Sequence, residues 1–473
     1  MSTDHPDEAT PLDGTVFRAN AWCGEDAASG LSGDGAVAWA MQKVIGSPQY
    51  LLAAVAAPQI NPHDWSDPHV GWGVVLPDRD GLLNGERDTG ADAPAAIRKL
   101  IAARGNAPVF RYRADIAKDG RLQRYFGHGK TASVRVGGSY GTDDKSVPRY
   151  LLIVGSPAQI PWKFQYRLQC NAFVGRLDLD DAGLERYVDA LLNDWPGASR
   201  HADTPVLWAV DHGHPDITYL MRKVVAEKLH ASFVGGGFDA QLLTDARGRA
   251  ADLRDALAKH CPAFVLTSSH GATFPLDDPA AMKAQLGLPV DLDHTVLDIE
   301  ALTKAWNPTG AIWYAHACCS AGADKPSTFQ GMVDAGSSLG RMLAAVAECG
   351  PCTAPLPRAL LGGERPLGAF VGHIEPTFDW TLRDPVTGQV MTNAMIVDTF
   401  YSALHSGPRT PIAMAMDGFY DAVAGLLLDH IDAVADFQNH EDGAETRAMR
   451  AKLMAMDRLS MVVLGDPTVR VAD

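Results

Sequence analysis

Two apolar runs in this chain end in side chains able to do nucleophilic chemistry. Phe264-Val265-Leu266-Thr267 leads through two serines into His270-Gly271, and Ile312-Trp313-Tyr314-Ala315 leads into His316-Ala317-Cys318-Cys319. A thiolate is a strong nucleophile, and an imidazole beside it can take up and return the proton that acyl transfer requires. Gly271 permits a tight turn whose backbone N–H could face a developing oxyanion, with the N–H of Cys318 as second donor. Successive strand residues point to opposite faces, so only one of the two adjacent cysteines can face His270. Cys318 follows a correctly phased strand opened by Pro308 and Gly310 and is the preferred nucleophile. Cys319, which stands in a Cys-x-x-Gly pattern ending at Gly322, is the alternative.

Other segments carry weaker chemical signals. Asp211-His212-Gly213 is a second His-Gly at a strand end, lying much farther from Cys318 in sequence, so His270 is the better base. Gly137-Gly138-Ser139-Tyr140-Gly141 has the letters of a serine nucleophile elbow, yet no apolar-periodic helix follows it. Gly127-His128-Gly129-Lys130-Thr131 lacks the leading glycine of a phosphate loop, since Arg124 stands there. Cys349-Gly350-Pro351-Cys352 copies a dithiol redox tetrapeptide, but a helix precedes it where one should follow. It keeps thiol oxidoreductase as a third, weaker reading. A lone Cys-x-x-Cys is also a poor zinc site. No cofactor or metal pattern is readable.

The elements needed to position His270 and Cys318 are legible around them. Tyr150–Val154, Asn171–Leu177, Pro205–Val210, Ala263–Thr267, Ala311–Ala315, Leu367–Ile374 and Met461–Leu464 are continuous apolar runs. Runs without polar alternation fit parallel strands covered on both faces. Helical spacing falls between them, over 181–195, 217–229 and 298–306, which is the pattern of an α/β sheet flanked by helices. In such sheets the chemistry gathers beyond the carboxyl ends of the strands. Before residue 149 the signals are mixed: a strand near Gly71–Leu76, a helix over Ala93–Arg104 and a hairpin or long loop over Arg121–Asp144. Residues 1–14 read as a loose polar arm.

Composition narrows the field. The chain has 473 residues and a net charge of −16 with no basic run, which argues against a nucleic-acid partner. No apolar run approaches the roughly 20 residues that span a bilayer. Nothing at the acidic N-terminus marks secretion. Seven cysteines, two of them adjacent, form no disulfide framework. A cytoplasmic location follows as an expectation.

The order apolar strand, His-Gly, spacer, apolar strand, Ala-Cys resembles the dyad signature of the caspase-like (clan CD) cysteine peptidases, in which histidine and cysteine lie about 50 residues apart. Leu152-Ile153-Val154-Gly155 with Ile160-Pro161, Val174-Gly175-Arg176-Leu177 and Leu464-Gly465-Asp466-Pro467 are similar to segments of the gingipain and clostripain-like branch. The resemblance covers about residues 149–473. It implies a caspase-like catalytic domain over 201–473, preceded by a smaller α/β subdomain within 15–200. It implies a cysteine endopeptidase acting on protein or peptide, with His270 and Cys318 as the dyad and Gly271 and Cys318 supplying the oxyanion hole. It places Asp211, His316 and Trp380 near the substrate pocket and suggests a charged P1 residue, leaning to Arg or Lys through Asp211. It leaves room for a structural calcium ion. The competing reading is a catalytically silent caspase-like scaffold for protein–protein contact.

Overall fold

The computed structural model describes residues 16–44, 60–383, 389–390, 393–405 and 409–471; the arm expected over 1–14 lies outside them. Eighteen strands are present among these residues. In chain order they are β1 (Phe17–Trp22), β2 (Asp26–Ser29), β3 (Trp72–Pro77), β4 (Val109–Tyr112), β5 (Arg121–Tyr125), β6 (Thr131–Arg135), β7 (Tyr150–Val154), β8 (Phe173–Leu177), β9 (Val206–Ala209), β10 (Gln241–Leu243), β11 (Phe264–Ser268), β12 (His270–Ala272), β13 (Pro289–Val290), β14 (Ile312–His316), β15 (Gly322–Ala323), β16 (Cys352–Thr353), β17 (Ala369–His373) and β18 (Met461–Gly465).

Twelve strands form one mostly parallel sheet flanked by helices, in the order β10-β9-β11-β14-β17-β18-β8-β7-β3-β4-β5-β6. The apolar runs explain why it forms. Strands β7, β8, β11 and β14 are buried along their whole length, as a strand covered on both faces must be. Alternation along β7 sorts its side chains between two cores. Tyr150, Leu152 and Val154 join the larger, while Leu151 and Ile153 join a smaller one with Phe110, Leu122 and Phe164.

Two pairings connect segments that are far apart in the chain. The last strand, β18, runs antiparallel to β17 and parallel to β8, so the C-terminus joins the two halves into one sheet. The N-terminal strand β1 leaves the first half altogether. It pairs in parallel with β12, the strand that begins at His270, in a small sheet ordered β13-β12-β1-β2. Residues 17–29 therefore belong beside the candidate dyad. The physical reason is that β12 has an open edge, and β1 satisfies its backbone groups.

The register of β11 against β14 matters most for the site. The two strands pair in parallel from Phe264↔Ile312 to Ser268↔His316. His270 and Cys318 each stand two residues beyond that last pair, so equal-length extensions of neighbouring strands carry the two groups out together.

Candidate functional site: a histidine and a cysteine at neighbouring strand ends

Cys318 Sγ lies 3.6 Å from the carbonyl oxygen of Gly271, to which the thiol donates. Gly271 must be glycine here, because a Cβ at that position would stand 2.1 Å from the Cys318 carbonyl oxygen. The thiol is thus held against the residue that follows His270. Both groups are enclosed, His270 at 1% and Cys318 at 0% exposure.

His270 is oriented by a residue that the sequence reading passed over. Its Nε2 lies 2.9 Å from Asp216 Oδ2, and its Nδ1 has no hydrogen-bond partner among the described residues. A proton on Nε2, donated to the carboxylate, leaves the Nδ1 lone pair free. Asp216 sits past the end of β9 and caps the short helix Ile217–Met221, accepting from the Thr218 N–H at 2.7 Å and from the Thr218 hydroxyl. Burial alone would raise its carboxyl, but the bonds from His270 and Thr218 outweigh that and hold it well below the ordinary carboxylate range. The signal for Asp216 was an aspartate directly before an apolar-periodic helix, an N-cap position. What it did not reveal was which neighbour the free carboxylate oxygen would meet.

Around this pair lies a stack of rings. His212 stacks on His270 at 5.7 Å between centroids and on His294 at 4.4 Å, and Trp22 covers His294 at 3.8 Å. Burial, followed by the neighbouring His270, pushes His212 down to about 4. Asp26, on β2, faces Asp216; burial and the Asp216 charge push its carboxyl up. Among the described residues Asp26, Asp216 and His270 form a group whose ligand atoms lie within 4.8 Å of one another.

The remaining sequence candidates fall in varied places. Cys319 is buried with φ of +53°, a left-handed conformation that turns its side chain out of strand alternation. A hydrogen bond to Cys318, together with burial, raises its thiol well above the ordinary value, so Cys319 holds its proton. The Cys318 N–H, expected as an oxyanion donor, points to a carbonyl oxygen, that of Asn20 on β1, at 3.3 Å. Asp211 is engaged by Arg222 at 2.9 Å, and Arg222 also pairs with Asp245 and Glu227. Asp211 thus has an internal ion-pair partner, which it shares with two other carboxylates. His316 is buried in the sheet, its Nδ1 2.7 Å from the Tyr314 hydroxyl and its ring 5.3 Å from that of His373. Trp380 is buried and lies against Phe17 of β1 at 4.1 Å.

The decoys resolve as local structure. Ser139 lies in a turn with no helix after it, and residues 127–130 make the turn of the β5–β6 hairpin. Cys349 ends the helix Ser338–Glu348, and burial pushes its thiol up to about 11 and raises Cys352 as well. Both thiols are free. A dithiol enzyme lowers a thiol pKa, whereas burial raises both thiols here.

Neither protein-family models nor curated protein sequences match the chain. Among solved structures it is similar to a chain described as a protease, at 12% identity and a TM-score of 0.45, covering 85% of this chain and 78% of that one. It is also similar to the Arg-specific cysteine proteinase gingipain R, at 12% identity and a TM-score of 0.37, covering 86% of this chain and 79% of that one. The complex of Porphyromonas gingivalis gingipain pro- and mature domains gives 12% identity and a TM-score of 0.36, with 85% and 79% covered. No helix among the described residues is long and apolar enough to cross a membrane.

Proposed function

We propose that this protein is a cysteine peptidase in which Cys318 is the nucleophile, His270 the general acid and base, and Asp216 the residue that positions His270. The observation carrying the reading is the β11/β14 register. It delivers a thiol and an imidazole from neighbouring strand ends, and a buried carboxylate holds the imidazole by the nitrogen that chemistry does not need. Cys318 attacks the carbonyl carbon of a peptide bond. The proton it gives up passes through His270 Nδ1 to the leaving amine, and His270 then activates the water that cleaves the thioester. The Cys318 N–H, already directed at a carbonyl oxygen, is suited to the oxyanion, a contribution worth roughly 3 kcal/mol per donor in comparable sites.

Enclosure of the dyad favours the second reading, a silent scaffold. Peptidyl acyloxymethyl ketones applied to the full chain separate the two, with Phe17→Ala included because it loosens the covering strand. A covalent adduct on Cys318, absent in Cys318→Ala, supports the peptidase. No adduct in either wild type or Phe17→Ala supports the scaffold.

A further inference from the structure

The covering strand lies across the dyad in the manner of a peptide about to be cut. The Asn20 N–H donates to the Thr377 carbonyl at 3.0 Å, and Ala19 forms an antiparallel bridge with Phe378. The Arg18 N–H donates to Asp379 Oδ1 at 3.3 Å. Phe17, three residues upstream of Asn20, rests on Trp380 at 4.1 Å. On the other side of the bond, Ala21 pairs with Gly271 in the strand that carries His270. At the centre stands the Asn20 carbonyl, whose oxygen accepts the N–H of Cys318 at 3.3 Å. Extended backbone pairing with pockets for individual side chains is how a sheet edge recognises a peptide strand. Among the described residues, the peptide carbonyl given to the nucleophile's own N–H is that of Asn20.

The Asn20 side chain is fully enclosed. Its Oδ1 accepts the Thr377 N–H at 2.9 Å, and its Nδ2 is buried without a partner. Beyond Thr377 the hydroxyl meets His373 Nδ1 at 3.3 Å and Asp457 Oδ1 at 2.8 Å. Burial lowers His373 well below the ordinary value and pushes Asp457 up to about 6. The Asn20 side-chain oxygen is therefore met by a backbone donor, with Thr377, His373 and Asp457 making a polar wall behind it.

Resting on the peptidase reading above, we infer that the Asn20–Ala21 bond is a bond this chain cuts in itself, and that the cleft takes an uncharged carboxamide side chain before the cut. The step balances with one water. A Cys318 Sγ–C bond to the Asn20 carbonyl carbon forms as the C–N bond to Ala21 breaks, and the thiol proton passes through His270 to the Ala21 amine. Water then splits the thioester, leaving residues 1–20 with a carboxylic acid at Asn20 and restoring the Cys318 thiol.

The test is intact mass and N-terminal sequencing of the purified full chain over time, beside Cys318→Ala and Cys318→Ser, with melting curves to confirm that both variants fold. Cys318 is assayed in the same samples by ketone labelling and peptide hydrolysis. A product beginning at Ala21 in wild type, missing from both variants, supports the inference. A bond left intact while Cys318 takes up the ketone or hydrolyses peptides overturns it and leaves the peptidase reading standing. A bond left intact with Cys318 inert in both wild type and Phe17→Ala overturns both. A cut at Asn20–Ala21 that persists in the Cys318 variants overturns self-cleavage.

Discussion

At the scale of single residues the site turns on which nitrogen of His270 carries the proton. Asp216 accepts from Nε2, so in the neutral ring the proton sits there and Nδ1 holds the lone pair. In Asp216→Asn the amide could rotate to donate to Nε2, fixing the opposite tautomer and disabling the base. We expect kcat to fall by about 10²-fold or more with KM little changed, since the wrong tautomer removes proton transfer rather than substrate binding. Steady-state kinetics with a fluorogenic peptide would check this, and an equal loss in KM would point instead to a distorted cleft. Cys319 gives the contrasting case. Its left-handed backbone and raised thiol leave it protonated beside Cys318, so Cys319→Ala should keep hydrolysis within about threefold of wild type, whereas a second catalytic sulfur would cost orders of magnitude. Strand phase preferred Cys318 on the assumption of unbroken alternation, which the positive φ at Cys319 in fact breaks.

Among the elements, β1 decides access to the dyad. Its hold depends on a few backbone bonds and on Phe17, fully buried against Trp380 and Phe378. Phe17→Ala removes that anchor and should cost about 3–5 kcal/mol if the strand stayed docked and left a cavity, and less if it peels away. Peeling away is the expected outcome, because β1 joins only a small sheet with a short parallel register. The measured result should be several-fold faster ketone labelling of Cys318 with a modest fall in melting temperature. A large stability loss with unchanged labelling would show that β1 belongs to the indivisible core. The main strands were legible because both of their faces are buried and their sequences are unbroken apolar runs. Strand β1, Phe-Arg-Ala-Asn-Ala-Trp, was not, since it mixes polar and apolar residues and its partner β12 is three residues long. Its place could not follow from local pattern, only from an open edge far away in sequence. Asp26, Trp22 and the Asn20 carbonyl were missed with it.

For the molecule as a whole, burial has placed acids and histidines in the core with opposite consequences for pH. Burial, against bonds from Thr328 and Ser327, pushes Glu375 up to about 7. Burial lowers His405 to about 4, with Arg409 adding to it, and lowers His316 to about 4. A carboxyl raised in the folded state contributes stability that is complete below its ordinary value near 4.5 and is lost as pH rises through 7. A histidine lowered in the folded state does the reverse: its contribution is complete above 6.5 and is lost as pH falls through 4. The two sets oppose each other between pH 4 and 7, so wild-type melting temperature should vary little there. Each contribution is on the order of 3 kcal/mol and becomes visible when the other is removed. Relative to wild type, Glu375→Gln should grow more stable as pH rises from 4.5 to 7, and His405→Gln should grow more stable as pH falls from 6.5 to 4. Melting curves of the three proteins across that range decide the matter. Parallel profiles would mean that these groups titrate in the folded protein as they do in the open chain, and that the core admits water at both positions.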